Sequence, residues 1–572
     1  MPGVASAAGP FRGMARRGRG RGATAGALAA AGALVAAGTL AAAGLAGAAP
    51  APDQRPHLLF VLVDDLGHGD AGWTYSSEGP QPAWVQTPKL DALAAEGRVM
   101  KRHYVHYTCT PSRSSLQTGR FPVHVQQTLA NPEQPHAGVP RNMTGIATKL
   151  RDQGYKTHMV GKWDAGMATP DHTPRGRGYD SSLLYFSHKN DYFTQRALQS
   201  DCSSPVESVG DFVDLWADDK PAKTVNGTGY IEDLFAEEAL RVVDEHDPAT
   251  PMFLFFAPHS IHVPLQVPED RLRKFRALTK GDDEQICTNQ TYYVNPTDGK
   301  NYACKAQYAA MVNYLDEHIG RLVEALKAKG MWEQTLMVLT SDNGGPLKLV
   351  ESAATNYPLR GGKYSPFEGG IRAAAFLSGG AIPPHLRGVP LETTAHIADW
   401  YTTFCGLAGA DPHDAKAERW GLPPVDGIDL WPEISGENPG AISLRQIPVD
   451  NNTIIVGDFK LIQGATPLFN VWTPPDFPNA TSKDDPISRK LNCHKGCLFN
   501  VAADPGETSD LASEPSFAPT MELLSGLLSD ARPGFYSNDE RGTDACPPGT
   551  PGLCACWAAR HTWGGFLGPY QT

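Results

Sequence analysis

Four short apolar runs mark the main elements of the chain: HLLFVLV (57–63), KTHMV (156–160), MFLFFA (252–257) and TLMVLT (335–340). Runs of this length without polar alternation are typical of strands that are buried on both faces of a sheet. Stretches with helical spacing lie between them, and strands that alternate with helices favour parallel pairing. We therefore predict an α/β fold with a large, mostly parallel central sheet flanked by helices.

Two of the intervening stretches carry specific helix signals. Thr87 and Pro88 are favoured residue types for the N-cap and first position of a helix. From Tyr308 to Leu326 the apolar residues recur at three- and four-residue spacing, and Gly330 follows as a stop signal. Helices are predicted at both places.

The pattern changes after about residue 425. The segments NNTIIVGDFKLIQG and CLFNVAADPGETSDLA read as short antiparallel strands with turns, followed by a helix near 518–530. We predict a catalytic domain over 51–425, a smaller C-terminal α+β subdomain with a short antiparallel sheet over 426–540, and a Cys/Gly/Pro-rich tail over 541–572.

The first 50 residues have a different character. Residues 12–21 (RGMARRGRGR) are strongly basic, and residues 22–52 carry no charge. With the small residues at 46–48, this is the three-part pattern of a secretory signal. The apolar stretch is also long enough for an uncleaved anchor, although Ala and Gly favour membrane insertion only weakly. We predict a signal peptide or signal anchor over 1–50, no later membrane span, and an extracellular or lysosome- or vacuole-like destination.

Composition and cysteine content agree with a secreted globular protein. The 572 residues are 41% hydrophobic, and a net charge of −12 leaves no basic footprint for nucleic acid, so no nucleic-acid partner is predicted.

In an oxidising compartment most of the ten cysteines should pair, and Cys287–Cys304 and Cys493–Cys497 are candidate pairs, with three more cysteines in the tail. Cys405 lies in an apolar run and is predicted to be a buried thiol. Sequons for N-glycosylation occur at Asn142, Asn226, Asn289, Asn451 and Asn479.

Polar side chains follow the predicted strands at the end where an open α/β sheet binds its ligands. Asp64 and Asp65 follow the first run, and Asp342 and Asn343 follow the fourth. Such residues are also common in turns, and only their joint position favours a site. Brought together, these oxygen ligands suit Ca²⁺ or Mg²⁺ rather than Zn²⁺.

A second feature is the segment CTPSR, residues 109–113. Pro111 favours a helix start, where the backbone amides and Arg113 would face an oxyanion such as sulfate or phosphate. A thiolate nucleophile at Cys109 fits poorly beside a hard cation and its oxygen ligands.

With these features the sequence resembles the sulfatase family, especially arylsulfatase B-like enzymes of the alkaline-phosphatase superfamily. The resemblance runs from about residue 57 to 535. CTPSR matches the family signature CxPxR, and the other matches are VDDLGHGDAG (63–72), TPKLDALAAEG (87–97), GYKTHMVGKW (154–163), HSIHVPLQVPE (259–269), SDNGG (341–345), PLRGGKYSPFEGGIR (358–372) and LFNVAADPGETSDLA (498–512).

The resemblance implies a role for each matched residue. Cys109 would be converted to formylglycine by a formylglycine-generating enzyme, and the hydrate of that residue would be the nucleophile. Arg113 and Lys162 would hold this hydrate and the sulfate, Lys363 would contact sulfate oxygens, and His262 would protonate the leaving oxygen. The ligands of a calcium-like ion, with Mg²⁺ as the alternative, would be Asp64, Asp65, Cys109, Asp342 and Asn343. These roles meet the needs of sulfate ester hydrolysis, which requires charge neutralisation and an acid.

One position departs from the family pattern. Where the family usually reads GKWH, this chain has Asp164 after Trp163. The usual His is thought to help expel sulfate, and we hypothesise that Asp164 acts as the base instead. A carboxylate there adds negative charge beside a sulfate and needs a cation such as Lys162 to offset it. His172 or His188 is an alternative replacement.

The leading hypothesis is a sulfuric ester hydrolase that acts on aryl or carbohydrate sulfates. The alternatives are a phosphoesterase of the same superfamily and a catalytically impaired secreted glycoprotein. The segments 190–230 and 280–304 are candidate rims of the substrate pocket.

Overall fold

The predicted strands and helices all appear in a computed structural model of the chain. It describes residues 55–571 except 78–80, 199, 203–211, 277–302, 348–352, 441, 443, 465–469, 474–490, 537, 539–545, 548 and 550–552, and the predicted signal region lies outside the described residues. The strands are β1 (His57–Val63), β2 (Arg98–Tyr104), β3 (Lys156–Lys162), β4 (Ser181–Tyr185), β5 (Trp216–Ala217), β6 (Lys220–Pro221), β7 (Met252–Ala257), β8 (Thr335–Ser341), β9 (Ala375–Ser378), β10 (Leu391–His396), β11 (Gln446–Asp450), β12 (Thr453–Val456), β13 (Phe459–Gly464) and β14 (Cys493–Asn500). The α-helices are α1 (Pro88–Ala95), α2 (Cys109–Thr118), α3 (Pro122–Val125), α4 (Ile146–Arg151), α5 (Ile231–Glu245), α6 (Glu269–Arg276), α7 (Ala303–Ala328), α8 (Glu368–Ile371), α9 (Asp399–Ala408), α10 (Ala415–Arg419), α11 (Trp431–Ser435), α12 (Ala518–Ala531) and α13 (Cys554–His561).

The main sheet has ten strands in the order β10-β2-β9-β8-β1-β7-β3-β4-β5-β6. Its centre is parallel, because β1 pairs in parallel with β7 and β8, and β3 pairs in parallel with β7 and β4. Strands β9, β5 and β6 add antiparallel pairs towards the margins. The prediction of an α/β fold with a mostly parallel sheet is confirmed.

Both faces of the central sheet are covered, which explains why its strands lack polar alternation. Along β1, Leu59 and Val61 point into the core formed with α5 and α7, and Leu58 and Phe60 point into the core formed with α4 and α9. All seven residues of β1 are buried. The strand can therefore be apolar on both sides while polar residues begin only where it ends.

The helix predicted at Thr87 and Pro88 is α1, with Thr87 at its N-cap position. The Thr87 hydroxyl caps no helix amide, however. It accepts a hydrogen bond from the Gly72 amide at 3.0 Å and donates one to Asp91 at 2.9 Å. Its role is to connect the preceding loop to the first turn of α1.

The C-terminal part contains the predicted antiparallel sheet, in the order β11-β12-β13-β14. Helix α12 packs Leu524 and Leu528 against Ile454, Leu461 and Leu498 of this sheet. The smaller α+β unit is therefore present, whereas the boundaries at 425 and 540 stay predictions.

The described cysteines form three disulfides. The predicted Cys493–Cys497 bond is present, Cys546 pairs with Cys554 in the tail, and Cys556 pairs with Cys202. Cys405 is a buried thiol, as predicted. The candidate pair of Cys287 and Cys304 falls outside the side chains that the structure describes.

In the part of the chain that is described, no helix has both the length and the apolarity to cross a membrane.

Candidate active site

The ends of three adjacent strands bring the predicted site residues together. Asp64 follows β1, Asp342 follows β8 and His262 lies in the loop after β7. The backbone locks the three ends to one another, since the Asp342 amide donates to the Val63 carbonyl at 3.0 Å and the Ile261 amide donates to the Asp64 carbonyl at 2.8 Å. Strand order, and not sequence proximity, thus assembles the site.

Cys109 lies beside these strand ends as the first residue of α2. Its Sγ is 3.8 Å from Asp64 Oδ1. Arg113, one turn along the helix, donates to Asp342 Oδ2 at 2.8 and 3.0 Å and to the Lys162 carbonyl at 2.9 Å. The helix therefore places a potential nucleophile and a guanidinium on the same side of the site.

Two buried lysines complete the ring of charges around Cys109. Lys162 Nζ donates to Asp64 Oδ2 at 2.8 Å, and Lys363 Nζ donates to both Asp65 oxygens at 2.7 and 2.9 Å. Gly161 has no room for a side chain, because a Cβ there would lie 1.9 Å from the Ala257 carbonyl oxygen. This close approach of β3 to β7 brings Lys162 to the site.

Acidic side chains outnumber basic ones in the cluster. It has three basic and four acidic side chains: Arg113, Lys162, Lys363, Asp64, Asp65, Asp164 and Asp342, all buried. With all of them ionised, the cluster has an excess of one negative charge. A divalent cation would turn this excess of one negative charge into an excess of one positive charge. The sum then complements the single negative charge of a sulfate monoester.

The donor set fits a hard divalent cation. Ligand atoms of Asp64, Asp65, Cys109 and His262 lie within 4.8 Å of one another. Asn343 Nδ2 donates to Asp65 Oδ1 at 2.7 Å, whereas Asn343 Oδ1 is buried and bonds to none of the described groups. A buried amide oxygen without a donor is an available ligand, and oxygen ligands are those that Ca²⁺ and Mg²⁺ prefer.

The environment of Cys109 disfavours an ionised thiol. Burial raises the pKa of the Cys109 thiol well above its ordinary value, and the carboxylate of Asp342 acts in the same direction, while Lys162 and Lys363 oppose the rise. The side chain is 1% exposed. The geometry thus differs from the electropositive, partly exposed surroundings in which reactive thiolates occur.

His262 presents one nitrogen to the site. Its Nδ1 lies 2.7 Å from the Val263 carbonyl, so Nδ1 carries a proton and Nε2 points to Lys363 Nζ at 3.1 Å and Asp65 Oδ2 at 3.6 Å. Burial and then the positive charge of Lys363 lower the pKa of His262 well below its usual value.

The loop that carries His262 is held by residues that the sequence patterns did not reveal. Glu232 accepts hydrogen bonds from the amides of His259 and Ser260 at 2.8 and 3.1 Å. Tyr192 donates to the His262 carbonyl at 2.8 Å, and its ring stacks on that of His259, with centroids 4.2 Å apart. Tyr192 belongs to the segment 190–230, so part of that predicted rim packs directly against the site.

Asp164 lies on the flank of the site where the chain departs from the family motif. Its Oδ1 accepts hydrogen bonds from Thr110 Oγ1 and from His188 Nδ1, both at 2.9 Å. Its Oδ2 is 3.7 Å from Lys162 Nζ. His172, the other alternative, instead bonds through Nδ1 to Thr169. The structure therefore selects His188 as the histidine beside Asp164.

The chain is similar to several known proteins. The Sulfatase family model matches residues 56–410. Arylsulfatase J of Mus musculus is 32% identical over 494 residues, which cover 82% of this chain and 74% of that protein. The N-acetylgalactosamine-6-sulfatase of Canis lupus familiaris is 29% identical over 90% of this chain and 91% of its own length. Among solved structures, Ps i-CgsB in complex with k-i-k-neocarrahexaose matches with a TM-score of 0.62 and 26% identity, over 85% of this chain and 94% of that one.

Proposed function

Because the chain belongs to the sulfatase family, whose members hydrolyse sulfate esters, we propose that it does so with a nucleophile derived from Cys109 and a bound Ca²⁺ or Mg²⁺. One observation carries this proposal: Cys109, three aspartates, Asn343 and three cationic side chains meet at the ends of β1 and β8. A phosphoesterase of the same superfamily is the alternative to be tested against it.

Each residue has a task that follows from its position. Asp64, Asp65, Asp342 and Asn343 would hold the cation, with residue 109 as a further ligand. When present, formylglycine supplies a hydroxyl nucleophile and the cation supplies positive charge for the sulfate oxygens. In this proposal Arg113 and Lys162 hold the nucleophilic side chain and the sulfate, and Lys363 neutralises sulfate oxygens.

His262 is the proton donor for the leaving oxygen in this proposal. The Val263 carbonyl engages Nδ1–H, so the donated proton resides on Nε2, the nitrogen that faces Lys363 and Asp65. Burial and the positive charge of Lys363 disfavour this proton in the free protein. The proposal therefore requires the negative charge of a bound sulfate beside Nε2, which favours the protonated imidazole.

The substrate class that we propose is an aryl or carbohydrate sulfate. Relatives named as N-acetylgalactosamine-6-sulfatase and the matched complex with k-i-k-neocarrahexaose both favour a sulfated sugar. The chain offers an exposed aromatic side chain for a sugar ring, since Tyr364 follows Lys363 directly and is 37% exposed.

We also propose a secretory route with a formylglycine-generating enzyme as maturation partner. Three disulfides support the oxidising compartment.

The first test is the mass of the tryptic peptide 103–113 from protein made in a host that converts a control sulfatase. We expect the aldehyde or its hydrate at residue 109. An unmodified thiol would contradict the proposal.

The second test compares turnover of 4-nitrophenyl sulfate and 4-nitrophenyl phosphate, before and after dialysis against a chelator. We expect preference for the sulfate, loss of activity and of thermal stability on dialysis, and recovery with Ca²⁺ or Mg²⁺. Preference for the phosphate would favour the phosphoesterase alternative. Full activity and unchanged melting temperature in metal-free protein would remove the cation from the proposal.

A further inference from the structure

Asp164 and His188 meet because they follow adjacent parallel strands. Strand β3 ends at Lys162 and β4 ends at Tyr185, and these two residues are partners in the register of the sheet. The next amide, that of Trp163, donates to the Tyr185 carbonyl at 2.9 Å. The loops that carry Asp164 and His188 therefore leave the sheet side by side, at the edge where the site lies.

The pair also contacts the start of the nucleophile helix. Thr110, the residue after Cys109, donates to the same Asp164 oxygen that binds His188. Asp164 adopts a left-handed backbone conformation with φ of 46°, which a residue with a Cβ adopts at a cost and which is concentrated at functional sites. The contacts on both sides fix the carboxylate between the helix and the imidazole.

The two members of the pair differ in what they can do. Asp164 is buried, and although burial alone would raise its pKa, His188, Lys162 and Arg113 together hold the pKa below its ordinary value. A carboxylate of this kind accepts hydrogen bonds well but takes up a proton poorly. The His188 side chain is 16% exposed, and only its Nδ1 is bonded to described residues, so Nε2 is available to receive a proton.

We propose that Asp164 and His188 form one unit in which His188 Nε2 accepts the hydroxyl proton of residue 109 as sulfate is released, and Asp164 orients the imidazole. The O–H bond breaks and an N–H bond forms. The electron pair left on oxygen closes the carbonyl, and sulfate departs with the electrons of its bond to residue 109. Water then removes the proton from His188. Carboxylate-oriented imidazoles act in this way elsewhere, with the carboxylate fixing the tautomer.

This inference rests on the proposed function, because it assigns the proton acceptor for the same nucleophile. His188 would be a catalytic residue, and Asp164 a positioning residue that acts through it. The pair would fill the role that the family's GKWH histidine has.

The experiment measures 4-nitrophenol release from 4-nitrophenyl sulfate by stopped flow in the wild type, His188→Asn and Asp164→Asn. The matched control is His124→Asn, because His124 Nδ1 binds Asp426 at 2.8 Å with similar exposure but contacts none of the site residues. For His188→Asn we expect a burst of one equivalent followed by a steady state slower by roughly 10²–10⁴-fold. Peptide 103–113 should then gain the mass of one SO₃ during turnover. Asp164→Asn should show the same burst, and His124→Asn the wild-type rate.

A second readout does not depend on activity. In ¹⁵N-histidine-labelled protein with Cys109→Ser, His188 should be protonated at Nδ1, and Asp164→Asn should shift it towards the Nε2–H tautomer. A purely structural Asp164 would leave the tautomer unchanged, and that result would overturn its positioning role. His188→Gln replaces His188→Asn if the latter fails to fold.

The remaining outcomes separate this inference from the proposed function. Wild-type turnover in His188→Asn, or a slowed first turnover without a burst, would overturn the role of His188. If His188→Asn turned over at the wild-type rate and Asp164→Asn turned over slowly, Asp164 itself would be the proton acceptor. A wild type with an unmodified thiol and no turnover would instead contradict the proposed function, and the tautomer measurement would still decide whether Asp164 orients His188.

Discussion

Two buried clusters of charged side chains in this fold have similar composition but different surroundings. One is the active-site cluster around Cys109. The other, here called the junction cluster, consists of Lys460 on β13, Glu368 and Arg372 at α8, and Glu507. Lys460 Nζ lies 2.8 Å from Glu368 Oε1 and 2.7 Å from Glu507 Oε1, and Arg372 pairs with Glu368. The junction cluster joins the antiparallel sheet to the segment that follows Lys363.

The cations of the junction cluster have all their contacts within the protein. Lys460 also donates to the Pro366 carbonyl at 3.0 Å, and Arg372 donates to the Val501 carbonyl at 2.7 Å. In the active-site cluster Asn343 Oδ1 is buried without a hydrogen bond to any described group, and so are both ring nitrogens of the nearby His259, whereas in the junction cluster Glu507 Oε1 has only its ion pair with Lys460. Buried ion pairs are thus no sign of function in themselves, and a buried amide oxygen without any donor is the feature that indicates a place for a ligand.

The largest difference is expected from a matched pair of substitutions, beginning with Lys363→Met. Lys363 and Lys460 are both buried lysines bound to carboxylates. In the proposed function Lys363 neutralises sulfate oxygens, so on that proposal kcat/KM should fall roughly 10²–10³-fold. With Ca²⁺ present to balance Asp65, the melting temperature should fall less than in Lys460→Met. Kinetics on an aryl sulfate and calorimetry check both parts, and retained activity with a large loss of stability would reverse the assignment of the two clusters.

Lys460→Met should have the opposite effect. It leaves Glu507 without its cationic partner in a dry environment, while Arg372 stays paired with Glu368. The loss of one partner of a buried ion pair costs about 3–5 kcal/mol of folding free energy. The kcat of the folded fraction should equal that of the wild type. Urea unfolding together with active-site titration measures the two quantities. If kcat fell in proportion to stability, the junction cluster would be part of the active site after all.

The same contrast explains what the sequence could predict. Strand β1 and the aspartates after it are recognisable because burial on both faces forces an apolar run that ends where the ligand site begins. The matched motifs likewise predicted Cys109, Arg113 and Lys363, which the structure brings together. Their roles in catalysis and in metal binding stay predictions.

The partners of these residues could not be predicted, because they come from distant parts of the chain. The bond of Cys202 to Cys556 spans 354 residues, and spacing gives no information on such a pair. His188 was one of two alternatives until the parallel register of β3 and β4 placed its loop beside Asp164. Glu507 follows a turn in the C-terminal part, and nothing in its local sequence indicates a contact with Lys460.

The smallest expected effect is a pH dependence located in the junction cluster. Burial, opposed by Lys460 but reinforced by Glu368, raises the pKa of Glu507 from 4.5 to about 7. Between these two pH values the folded protein binds a proton that the unfolded chain has released. The free energy of unfolding should therefore fall as pH rises through this window, by on the order of 3 kcal/mol in total.

Glu507→Gln carries no titrating group at this position and should remove that decline, whereas Glu514→Gln, at an exposed position of the same region, should keep it. Urea unfolding at several pH values between about 4.5 and 8 gives the comparison. Equal slopes in Glu507→Gln and the wild type would mean that Glu507 stays ionised beside Lys460 throughout. The junction cluster would then hold two full pairs of opposite charges, and its contrast with the active-site cluster, which needs a cation to reach positive charge, would be sharper still.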